Sequence, residues 1–77
     1  SNPFHTYECT IQEHSILVDN TLGATNFWHQ TKATVIAIRR ESGIILSPGP
    51  SLVLQPFDVL VLVGGVNTRA DVLKLTN

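Results

Sequence analysis

Polar and apolar residues alternate from Thr6 to Gln12, with Tyr7, Cys9 and Ile11 on one side and Thr6, Glu8, Thr10 and Gln12 on the other. A period of two is that of a strand with one buried face, so TYECTIQ predicts a half-buried strand. After Ser15-Ile16-Leu17-Val18 the pair Asp19-Asn20 predicts a turn, and Asn20 or Thr21 can cap a helix beginning there. Ala24, Phe27, Trp28 and Thr31 then recur at i, i+3, i+4 and i+7. That spacing predicts a short amphipathic helix over Leu22 to Thr31, with both aromatics on its apolar stripe.

TVIAIRR, Thr34 to Arg40, is β-branched and apolar on both faces until its two charges, which predicts a central strand. Glu41-Ser42-Gly43 supplies a short turn with glycine at the φ > 0 position, and Ile44 to Ser47 returns as the hairpin partner. Pro48-Gly49-Pro50 breaks the pairing. Ser51 to Leu54 is a brief extended piece. Asp58 to Val63, DVLVLV, carries the strongest buried-strand pattern and belongs mid-sheet, with Gly64-Gly65 ending it. Thr68 followed by Asp71 resembles a capping box opening a helix through Val72, Leu73 and Leu75.

Composition narrows the function classes. Seventy-seven residues hold one small core, and a chain this short buries barely enough apolar surface to offset the entropy of ordering it. Hydrophobic residues make up 43% and charged residues only 14%, against about 25% charged in ordinary soluble domains. Both facts predict a homodimer. The net charge is −1, and Lys32, Arg39, Arg40, Arg69 and Lys74 are the only Lys and Arg residues, too few for the basic stripe that direct contact with nucleic acid requires. The longest apolar run, Val59 to Val63, is far below the roughly 20 residues of a membrane span, so no direct membrane insertion is expected. A single cysteine, Cys9, excludes an internal disulfide and fits a reducing compartment. The chain opens on Ser1-Asn2 and contains no Met, which reads as a tag remnant over residues 1–2, with residues 3–77 as one domain.

No arrangement of catalytic groups emerges. His5, Cys9, His14 and His29 lack any paired ligand spacing, so no metal is expected. Cys9 lies mid-strand on the apolar side, where a small buried hydrophobe belongs. Gly64-Gly65 lacks the lysine and third glycine of a phosphate loop, and no GxSxG occurs. The expectation is a protein that is not an enzyme and holds no cofactor. The remaining candidate is Arg39-Arg40, across a hairpin from Ile44-Ile45 and near Pro48. Because successive strand residues point to opposite faces, one arginine at most can serve a given pocket. The pair reads either as a solvated strand end or as an anion contact flanked by apolar side chains for a base.

The order Thr21-Leu22, ATVIAIRR (Ala33 to Arg40), a short turn, ILSPGPSLVLQPFDVLVLVG (Ile45 to Gly64) and a terminal helix resembles the C-terminal regulatory domain of RCK/TrkA proteins, the TrkA-C or RCK-C domain. The likeness covers Glu13 to Leu75. It implies an α+β fold, a small and mostly antiparallel sheet with two short helices, TrkA-C-like and dimeric. It also implies control of a monovalent cation (K+ or Na+:H+) channel or transporter, in cis or as a partner subunit, from the cytoplasmic side. Some such domains bind cyclic di-AMP across the dimer interface. The residues expected to line such a site here are Ile38, Arg39, Arg40, Ile44, Ile45 and Pro48. Alternatives from other classes are the effector-binding domain of a transcription regulator and a purely structural dimerisation module. Lys32 stands where the family pattern has glycine before Ala-Thr-Val, and Phe57 where it has glycine before Asp. Trp28-His29 occupies positions often held by arginine, so no ligand contact is carried over from that pair.

Overall fold

A computed structural model of the chain describes residues 3–77; the tag-remnant reading of Ser1 and Asn2 lies outside them. The alternating segments form strands β1 (Phe4–Thr10), β2 (Thr34–Arg40), β3 (Gly43–Leu46) and β4 (Val59–Gly65), with helices α1 (Phe27–Thr31) and α2 (Thr68–Thr76). The strands make one antiparallel sheet in the order β1-β4-β2-β3. The most apolar strand therefore lies inside the sheet, as its sequence predicts. Leu60 and Leu62 on one face of β4 are fully buried, while Val59, Val61 and Val63 on the other are half-buried. The core gathers on the first face, where Ile11, Leu17, Ile38, Leu54 and Val72 join those leucines and Phe27. α2 lies against β1 and β4 and touches α1. No helix among the described residues is long and apolar enough to cross a membrane.

β2 is not a regular strand. Val35 pairs with Leu62 but Ala37 pairs with Val61, so Ile36 is an extra residue in the ladder. Such a bulge shifts the alternation by one. Both Val35 and Ile38 then face the core beside Leu62 and Leu60, which strict alternation would forbid for two positions three residues apart.

Two local expectations need correction. The predicted helix over Leu22 to Thr31 is helical only from Phe27. Asn26 sits at φ 49°, which interrupts the helix, and the Leu22 and Gly23 N–H groups donate to Leu52 and Pro50 carbonyls instead, each at 2.8 Å. Phe27 and Thr31 are buried as the stripe requires, but Trp28 is half-exposed, with the Lys32 ammonium 4.4 Å from its ring centre. The predicted capping box is absent, because α2 begins at Thr68 itself with no side-chain cap. Thr68 Oγ1 donates to the Gly65 carbonyl at 2.7 Å and lies 2.6 Å from Tyr7 Oη, so its hydroxyl fastens the helix to the sheet.

Both departures from the glycine pattern occupy left-handed backbone. Lys32 caps α1 at φ 59°, its N–H donating to Trp28 O, and Phe57 sits at φ 68°. A bulky residue there carries roughly 1–2 kcal/mol of strain that glycine avoids, against about 0.5–1 kcal/mol of extra backbone entropy for glycine. The Phe57 ring is 61% exposed and loses little burial when removed. Phe57→Gly is therefore expected to stabilise the fold by about 0.5–1 kcal/mol, a rise of a few degrees in melting temperature at about 4–8 °C per kcal/mol. A thermal melt followed by circular dichroism checks this; a lower midpoint would mean that contacts of the ring outweigh the strain.

Candidate functional site

The helices cover one face of the sheet and leave the other open. Cross-strand pairing sets out that open face in rows: Glu8, Val61, Ala37 and Leu46 in one, Thr10, Val59, Arg39 and Ile44 in the next, with Thr6, Val63 and Thr34 beyond. Ile44 is 63% exposed and Leu46 75%. The open face is thus an apolar sheet surface with a single cation and a single carboxylate among the strand residues that face it.

The two arginines have different fates. Arg40 is on the covered side, where its Nε and Nη2 donate to both oxygens of Asp58 at 2.9 and 2.6 Å, and Nη2 also donates to the Val53 carbonyl at 3.2 Å. Asp58 is almost wholly buried and accepts a further bond from the Gln55 N–H at 2.9 Å. This two-pronged pair ties the end of β2 to the loop before β4. Arg39, one residue earlier, is on the open face and reaches across β4 to Glu8, donating from Nη1 at 2.6 Å and from Nη2 at 3.2 Å. Those hydrogen bonds hold the Glu8 carboxyl below its ordinary range and raise Arg39, so both stay charged.

Of the six residues expected to line a ligand site, the fold sets Arg39 and Ile44 directly opposite each other on the open face. Ile38 is fully buried beneath the sheet, and Ile45 pairs with it on the same covered side. Arg40 is engaged by Asp58, and Pro48 is half-buried in the loop leaving β3, where Ser47 turns the chain at φ 48°. Ile38 and Arg40 therefore support the face from below and do not line it. Glu8, the three valines of β4 and Leu46, which the sequence does not single out, share the open face with Arg39 and Ile44. Their facing follows from the alternation of β1, β3 and β4, but only the strand order brings Glu8 within reach of Arg39.

Elsewhere, a recess of about 330 Å³ lies between α1 and the Pro50 loop, lined mainly by apolar side chains including Leu22, Phe27, Trp28 and Val35. None of the six expected residues reaches it. Cys9 is buried in the sheet, and burial pushes its thiol above the ordinary value despite the nearby Arg69 charge, which leaves it inert as a nucleophile. No group of three or more His, Cys, Asp or Glu residues that could hold a metal occurs among the described residues.

The family model of the TrkA-C domain matches residues 6–77. Among solved structures the chain is similar to the RCK_C domain dimer of S. agalactiae BusR in complex with c-di-AMP, with 36% identity, a TM-score of 0.89, and coverage of 99% of this chain and 94% of that one. It is similar to S. agalactiae BusR in complex with its busAB-promotor DNA, again at 36% identity and with a TM-score of 0.88, where it covers 99% of itself but spans only 37% of the longer chain. The KtrA RCK C domain in complex with c-di-AMP shares the fold at 22% identity and a TM-score of 0.78, over 92% of this chain and 80% of that one. No curated protein matches.

Proposed function

Because the chain belongs to the TrkA-C domain family, a family of regulatory ligand-binding domains and not of enzymes, we propose that it pairs with a second copy of itself and binds an anionic cyclic dinucleotide, c-di-AMP, at the open sheet face. The observation that carries this reading is the Arg39 guanidinium on an exposed apolar surface, opposite Ile44 and beside Val59. A guanidinium can give a phosphate two parallel charge-assisted hydrogen bonds, and branched aliphatic side chains offer a flat wall to a base. A twofold pair of such faces presents the same surface to each half of a twofold ligand. Pro48 belongs to the rim of that site in this reading, with Ile38, Ile45 and Arg40 as its underlying support. The RCK_C dimer of BusR with c-di-AMP, alike over the whole length of this chain, supports both pairing and ligand.

Two outputs fit such a domain. Control of a cation transporter or channel from the cytoplasmic side follows from the resemblance of the sequence, and the GsuK RCK domain shares the fold at 17% identity. The effector domain of a transcription regulator is favoured by the greater identity to a BusR chain bound to promoter DNA. With six acidic against five basic residues, the domain itself lacks a DNA-binding surface, so in that reading the DNA contacts belong to another segment.

The test is calorimetric titration with c-di-AMP, with AMP as the linear control. One charge-assisted hydrogen bond contributes about 1.5–3 kcal/mol, so Arg39→Ala is expected to weaken binding at least about tenfold. Sedimentation equilibrium of the same samples should give the dimer mass. Absence of binding by the unaltered chain at millimolar ligand would overturn the ligand, and a monomer at tens of micromolar the pairing.

A further inference from the structure

We infer that Arg69, with Tyr7 and His5, forms a separate site for a small carboxylic acid with an apolar body; it lies on the helix side of the sheet and does not depend on the ligand reading above. The start of β1 and the start of α2 border a recess of about 200 Å³, lined by His5, Tyr7, Gly65, Val66 and Arg69. His5 and Tyr7 are two residues apart on one strand, so both side chains are on the side from which Cys9 joins the core. The wall of the recess is mainly apolar, and its charge comes from Arg69, the one Lys or Arg in the lining.

The guanidinium is positioned but not used. Its carbon lies 4.9 Å from the centre of the Tyr7 ring. A cation over a ring is attracted through its charge and makes no hydrogen bond there, so the N–H donors stay available. Arg39 and Arg40 are both held by carboxylates, whereas Arg69 has neither a carboxylate nor a hydrogen-bond acceptor among the described residues. The ring that carries it is itself fixed. Tyr7 Oη and Thr68 Oγ1 are 2.6 Å apart, and because the Thr68 hydroxyl donates to the Gly65 carbonyl at 2.7 Å, the proton between the first two is that of the tyrosine. A carboxylate can accept two parallel N–H bonds from such a guanidinium, with the His5 imidazole on the same lining as a further donor. The volume is below the roughly 300–1,000 Å³ of pockets for drug-sized ligands, which sets an upper limit near a branched aliphatic or single-ring acid. The apolar wall favours such an acid over inorganic phosphate, which would leave the wall wet and bring a second negative charge to a single arginine.

The test is a titration of the isotope-labelled chain with isobutyrate and with benzoate at constant ionic strength, followed by NMR, with chloride and inorganic phosphate as controls. The amide signals of Gly65, Val66 and Arg69 are expected to shift together and saturate, with a midpoint of about 1 mM, since one bidentate pair and one small apolar contact support no tighter binding. Arg69→Gln should weaken this at least about tenfold, the loss of a charge-assisted pair. Lys74→Gln removes another cation of α2, one paired with Asp71 outside the recess, and should change the midpoint less than about twofold. Each variant is first checked by thermal melt to be folded. Shifts that still grow linearly at about 20 mM acid, or that are the same in Arg69→Gln, would overturn the site. An equal response to chloride or phosphate would mean an adventitious ion only and overturn it too. The probes carry no nucleotide, so failure of c-di-AMP to bind leaves this result untouched, and the reverse holds as well.

Discussion

Arg40→Ala is expected to cost about 3–5 kcal/mol of folding stability, because it leaves the buried Asp58 carboxylate without its counter-charge. A domain of this size has on the order of 4–12 kcal/mol in total, at about 0.05–0.15 kcal/mol per residue, so a large share of the fold is at stake. Arg40 donates three hydrogen bonds at this corner, including the one that holds the Val53 carbonyl. Arg39→Ala, by contrast, removes a solvent-exposed pair and should cost under about 1 kcal/mol. Urea unfolding of the two variants side by side separates them. Equal midpoints would mean that Asp58 finds water or another donor. Replacing both members by apolar residues, Arg40→Met with Asp58→Leu, should recover part of the loss, since burying neither charge avoids the desolvation that the single change exposes.

Gly64→Val is the second large effect, about 3 kcal/mol. A Cβ at this position would lie 2.6 Å from Thr68 Oγ1 and 3.2 Å from the Ala33 Cβ and the Thr68 Cγ2. Neither the first turn of α2 nor Ala33 can retreat without opening the core, and overpacking of this kind is costly. The change also presses on the hydroxyl that Tyr7 and the Gly65 carbonyl share. At Gly65 the nearest atom to a new Cβ is the Asn67 side-chain oxygen at 3.0 Å, a group free to swing away. Gly65→Ala should therefore cost less than about 1 kcal/mol. Thermal melts of the two variants test the contrast, and similar midpoints would show that α2 adjusts freely to β4.

That contrast illustrates how far local pattern reaches. The pair Gly64-Gly65 reads as a strand terminator, yet β4 continues through both, and the first glycine is needed for the helix that packs against it. β2 was legible to its end residues, as were the turn glycine at Gly43, with φ 139°, and the inward face of Cys9, since each depends on neighbours in sequence. The helix before Phe27 was not, because the N–H groups of Leu22 and Gly23 bond to a segment almost thirty residues later. The candidate site was half legible. Arg39 and Ile44 could be found from the hairpin alone, whereas Glu8 required knowing that β4 inserts between β1 and β2.

The extra residue at Ile36 has a consequence for relatives of this chain. It acts as a parity bit: everything after it in β2 faces opposite to where an uninterrupted ladder would put it. A relative that keeps the bulge but has one residue fewer between it and the same two arginines would turn the second outward and bury the first, exchanging the open-face position and the structural tie without altering either side chain. Equivalence between such proteins is then carried by spacing from the bulge. Matching arginine to arginine by identity alone would pair residues with opposite duties.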